Sequence, residues 1–134
     1  MEFVKGYPPN IEKIRAALRT VAPNVFFTYG DKIYSTLSEK QLTPALWAHE
    51  KVHCRQQLEI GVETWWDRYL AEPPFRFQQE LKAHEAEFAA FCEIERDKNR
   101  RAEMLGFIAK RLAGPMYGKL APFDQCKSLI KAAA

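Results

Sequence analysis

Residues 45–61 read ALWAHEKVHCRQQLEIG and hold two of the chain's three histidines, His49 and His53, with Glu50 between them in the order H-E-x-x-H. On an α-helix these histidines lie one turn apart on one face, because four steps of about 100° nearly close a circle. That spacing lets both imidazoles reach one zinc ion. Glu50 projects to the side, where its carboxylate can touch a metal-bound water without binding the metal. Zinc brings the pKa of such a water near neutrality, and the carboxylate takes its proton as the water attacks a carbonyl. The same group can then protonate the leaving amine.

A catalytic zinc needs a third protein ligand and an open position. A ligand six residues past His53 would require a chain-reversing glycine, and none is present, so Glu59 turns to the far face. Gln56, seven residues after His49, falls on the histidine face, where it either hydrogen-bonds a ligand or makes a polar packing contact. The third ligand is sought in FQQELKAHEAEF, residues 77–88, where Glu80 and His84 sit one turn apart beside an apolar stripe. A carboxylate and an imidazole facing a core need partners. Glu80 can close a His-His-Glu site, with His84 orienting it or meeting the substrate; the swapped assignment, His84 as ligand, stays open. One site then accounts for all three histidines.

These side chains need two helices packed side by side, and the sequence supplies them. Thr43 can cap the motif helix, Pro44 suits its first position, and Gly61 marks its end or a bend. VETWWDRYLAE forms a shorter helix bounded by Pro73-Pro74. A long helix runs from Phe75 to about Asp97, with Phe77, Leu81, Phe88, Phe91 and Cys92 near one stripe. RAEMLGFIAKRLA is a further helix closed by Gly114-Pro115, and FDQCKSLIK the last. Upstream, Asn10 can cap a helix with Ile11, Ile14, Leu18 and Val21 on one face, bounded by Pro23. NVFFTYGDKIYSTL, with Gly30-Asp31 at its centre, is a short hairpin. The expected fold is mainly α with a small β-hairpin, an α+β domain spanning 1–134.

Composition narrows the functions. The chain has 134 residues, 47% of them apolar and 13% aromatic, enough for a packed core. Its net charge of +3 is spread along the chain, a poor footprint for nucleic acid. Cys54, Cys92 and Cys126 are far apart and odd in number, as reduced thiols of a cytoplasmic compartment are. No apolar signal segment or membrane span is evident.

The blocks AHEKVHCRQQ, PPFRFQQELKAHEAEF and AGPMYGKL resemble the small H-E-x-x-H metallopeptidase-like proteins of tailed phages and prophages, gluzincin-type minimal zincins. The likeness covers roughly residues 25 to 130. It implies a zincin-like fold in which the motif helix packs against a long helix carrying the third ligand. In related gluzincins that ligand is the first Glu of an E-x-x-A-D-like segment, which reads Glu80-Leu81-Lys82-Ala83-His84 here and departs from the pattern at His84. The resemblance also implies that the strand before the motif helix, KIYST, is an edge that holds an extended peptide. Tyr117, in a Gly- and Pro-bounded loop, suits either a hydrogen bond to a developing oxyanion or an aromatic anchor between helices. Trp47, Trp65 and Trp66 suit a substrate groove or core packing, with packing favoured for at least two.

The expectation is a zinc peptidase: Zn2+ on His49, His53 and Glu80, Glu50 as general base, and a peptide or protein as substrate. The alternative is a phage structural or assembly protein that retains the scaffold without turnover and meets a virion partner. Host cytoplasm or virion is the expected location.

Overall fold

Four residues at the very start of the chain change the sheet. In the computed structural model, which describes residues 1–19 and 24–133, Glu2–Lys5 forms strand β1. It is followed by α1 (Ile11–Ala17), β2 (Phe27–Tyr29) and β3 (Lys32–Ser35). Then come α2 (Pro44–Ile60), α3 (Val62–Ala71), α4 (Pro73–Ile94), α5 (Lys98–Leu112) and α6 (Phe123–Ala133). The molecule is mainly helical with a small three-stranded sheet.

The expected hairpin is present: β2 and β3 are antiparallel, with Tyr29 opposite Lys32. Gly30 takes φ +66°, which a two-residue turn needs at its first central position and which costs glycine nothing. The expected edge is not where KIYST lies. β1 pairs parallel with β3, so the strand order is β1-β3-β2 and KIYS is the central strand. The edge strand beside α2 is β2. Ile33, fully buried, anchors that central position.

Helix boundaries follow local chemistry. Thr43 is extended, its hydroxyl accepts the Leu46 N–H at 3.2 Å, and Pro44 takes the first helical position. Gly61 ends α2 at φ +97° and opens α3 directly. The long helix starts at Pro73 rather than Phe75, because prolines lose nothing in a first turn that lacks N–H partners. It stops at Ile94, since Asp97 caps the next helix by accepting the Asn99 and Arg100 N–H groups. Asn10 does not cap α1 through its side chain. Its backbone (φ −99°, ψ 21°) is not the extended form that aims a capping side chain back at the helix. Leu18 already leaves that helix, and Val21 and Pro23 lie outside the described residues.

Two apolar clusters flank the space between α2 and α4. One joins Phe77, Leu81 and Phe88 of α4 to α5 and α6. The other joins Ile14, Leu18 and Phe27 to Trp65, Trp66 and Tyr69 of α3. Both sides of the α2–α4 contact are therefore held by hydrophobic burial, and the polar residues gathered there are fixed from outside. Arg76 adds a tie, donating to the Tyr69 carbonyl at 3.1 Å and the Met116 carbonyl at 3.3 Å. Among the described residues, no helix is long and apolar enough to cross a membrane.

Candidate metal centre

α2 presents His49 and His53 toward α4, and α4 presents Glu80 back. One donor atom from each of the three lies within 4.8 Å of the others, and all three residues are buried. Glu80 spans the pair: Oε1 is 3.3 Å from His49 Nε2 and Oε2 is 3.1 Å from His53 Nε2. The Oε1 contact lacks hydrogen-bond geometry, leaving that buried oxygen without a hydrogen-bond partner among the described residues. In the metal-free protein the charge of the His49 ring, 3.3 Å away, offsets the burial of that oxygen, and a metal ion would take over that part. Two imidazole nitrogens and a carboxylate also match the donor types zinc accepts. The donor set therefore fits a metal ion.

The outward nitrogens of the two histidines are engaged. Gln56 Nε2 donates to the Gln79 carbonyl at 3.1 Å, so its Oε1 faces His53 Nδ1 at 2.9 Å and must accept from it. That puts a proton of His53 on Nδ1 and turns Nε2 toward Glu80, where a metal ion would displace any proton it carries. His49 Nδ1 lies 2.8 Å from Glu87 Oε1, which orients its Nε2 the same way. Glu87 in turn pairs with Arg111. Tyr69 donates its hydroxyl to Glu80 Oε2 at 2.6 Å.

His84 has no lone pair to offer a metal. Arg111 Nε donates to its Nε2 at 3.2 Å, so Nδ1 carries the proton and donates to the Glu80 carbonyl at 2.6 Å. It is fully buried, holds the backbone of Glu80 through that bond, and is not among the residues lining the cavity. Tyr117 packs edge-on against the His84 ring, with centroids 5.5 Å apart, and also lines the cavity above the site. Trp65 and Trp66 belong to the apolar cluster and form part of the cavity wall, whereas Trp47 does not line it.

Glu50 stands beside the triad, not in it. Its Oε2 is 3.6 Å from His49 Nε2, and its Oε1 is 3.1 Å from the Thr28 hydroxyl. The cavity over these groups encloses about 250 Å³. It is bounded by Ile14, Leu18 and Phe27 on one side and by Arg111, Met116 and Tyr117 on another.

Compared with family models, curated proteins and solved structures, the chain matches none. Its chemistry is read from the site alone.

The electrostatics are those of a place that wants positive charge. Burial opposes a proton on His49, but the carboxylates of Glu80, Glu87 and Glu50 outweigh it and raise the pKa to about 10. Burial likewise opposes a proton on His53, and Glu80 again wins and raises it. For Glu80 burial favours the neutral acid, yet the two histidines hold it well below the usual carboxylate range. Glu50 is pushed up by burial, which its histidine neighbours only partly offset. Burial, then the charges of His49 and Arg111, depress His84 to about 3, so its ring is neutral.

Glu87, Tyr69, Thr28 and Arg111 escaped the sequence reading. Glu87 had a signal: seven residues after Glu80 and three after His84, it shares their helix face. The other three lie on separate elements, with nothing in local spacing to join them to the site.

Proposed function

We propose that this protein is a zinc-dependent peptide hydrolase in which His49, His53 and Glu80 hold the ion and Glu50 is the general base. The observation that carries the reading is the convergence of His49, His53 and Glu80, whose Oε1 has no hydrogen-bond partner among the described residues, with the Glu50 carboxylate 3.6 Å from His49 Nε2. A purely structural zinc site needs no such acid–base group at its side. When bound there, zinc would supply a Lewis acid that makes water acidic near neutral pH and polarises a carbonyl.

The chain's own groups do the rest. Glu87 and Gln56 hold the imidazole tautomers with Nε2 inward; Tyr69 and His84 hold Glu80. Thr28 fixes Oε1 of Glu50 and leaves Oε2 to take the proton of the attacking water and pass it to the departing amine. In the metal-free protein burial raises the Glu50 pKa, which suits a carboxylate that must first take a proton. Tyr117, on the cavity wall, would donate to the carbonyl oxygen as negative charge builds on it.

A second reading is an assembly protein of a phage particle that keeps the scaffold and uses the ion for folding. Burial favours it: His49, Glu50, His53 and Glu80 are only 3–7% exposed. Glu50→Gln separates the two. The variant should keep about one zinc per chain and lose cleavage of an unstructured protein. A wild type that carries zinc and cleaves nothing, while chelation merely lowers its Tm, would leave the assembly reading standing.

A further inference from the structure

An extended peptide joins a sheet by pairing with the outward N–H and C=O groups of an edge strand. Beside the metal centre that edge is β2. In an antiparallel ladder, alternate residues spend their backbone groups on the partner strand. Tyr29 and Lys32 close a two-residue turn and form a hydrogen-bonded pair, as do Phe27 and Tyr34, so Thr28 faces away from β3.

That outward side is taken up at one end. The Thr28 carbonyl accepts from Gln57 Nε2 at 2.8 Å and from the Trp66 indole N–H at 3.2 Å. The Gly30 N–H donates to Gln57 Oε1 at 2.7 Å. The amide of Gln57 thus fills the place a neighbouring peptide group would occupy, and it is fully buried. Gln57 lies one helical turn beyond His53, so the clamp stands at the edge of the metal centre. The Phe26 side of the same edge carries no such clamp among the described residues, and Phe26 lines the cavity. About 250 Å³ is also less than the roughly 300–1,000 Å³ of usual ligand pockets.

We propose that the site takes short peptides or chain ends, whose backbone runs from the metal only along the Phe26 side of β2, with Gln57 and Trp66 closing the Gly30 side. This rests on the zinc hydrolase reading, but its test does not need turnover. Two series of peptides bear a zinc-binding hydroxamate, at the C-terminus in one and at the N-terminus in the other. Each is lengthened one residue at a time and titrated calorimetrically into the zinc-loaded protein.

In one series affinity should rise about threefold or more for each of the first added residues, and in the other stay within about twofold. Comparable gains in both series, or none in either, would overturn the proposal. Cleavage of matching peptides is measured separately and bears on the hydrolase reading alone: one-sided binding without cleavage keeps the proposal and sinks that reading. A protein that takes up no zinc loses both.

Discussion

The hydroxyl of Thr28 lies 3.1 Å from Oε1 of Glu50 and 3.2 Å from the carbonyl of the same residue, joining the edge strand to the proposed base across 22 residues of sequence. Both residues are buried, so water does not compete for this contact. Thr28→Val keeps the shape and removes the hydroxyl. It should lower kcat by roughly ten- to a hundredfold with little change in KM or zinc content, and Thr28→Ser should restore most of the loss. Equal turnover in the valine variant would show that Glu50 needs no such support.

The Glu87–His49 contact makes a second prediction. Carboxylates that hold a ligating imidazole affect metal affinity by about 10- to 100-fold. Glu87→Gln should weaken zinc binding by that amount, and Glu80→Ala should lower zinc content far more, because it removes a donor itself. Metal analysis after dialysis against a graded chelator reads both. Full zinc occupancy in the Glu80 variant would remove it from the ligand set.

The titration of His49 and His84 sets the pH response of the metal-free protein. His49 is raised from 6.5 to about 10, so its contribution is fully present below pH about 6.5 and is lost as pH rises toward 10. His84 is lowered to about 3, so the unfolded chain binds more protons between there and 6.5, and stability falls as pH drops through that window. The depressed Glu80 adds to the acid limb. The apoprotein Tm should peak near pH 6.5 and decline on both sides. Zinc requires neutral imidazoles, so binding should release protons, tighten from pH about 6.5 to 10, and flatten the alkaline limb. An apoprotein Tm unchanged across that alkaline range would contradict the His49–carboxylate account.

How much of this was legible in residue order can be seen element by element. The i, i+4 spacing of His49 and His53 and that of Glu80 and His84 are rotations about single helices, and any α-helix of this sequence places them so. Thr43, Pro44 and Gly61 set the ends of α2 through backbone chemistry that acts over a few residues. Gln56 fell on the histidine face for the same reason. Those features are local, and local geometry is what a sequence states directly.

The tertiary structure decided the rest. Phe3 and Val4 carry too short a pattern to announce a strand, yet β1 pairs with β3 about thirty residues away and turns an expected edge into the centre of the sheet. The Tyr69 hydroxyl on Glu80, Arg111 on His84 and Glu87, and Gln57 across the edge of β2 each join separate elements. Such contacts depend on how far α2, α3, α4 and α5 slide and tilt when their apolar faces bury one another. Hydrophobic burial is not directional, so it brings the helices together without itself saying which polar groups will meet. That outcome emerges only from the packed whole.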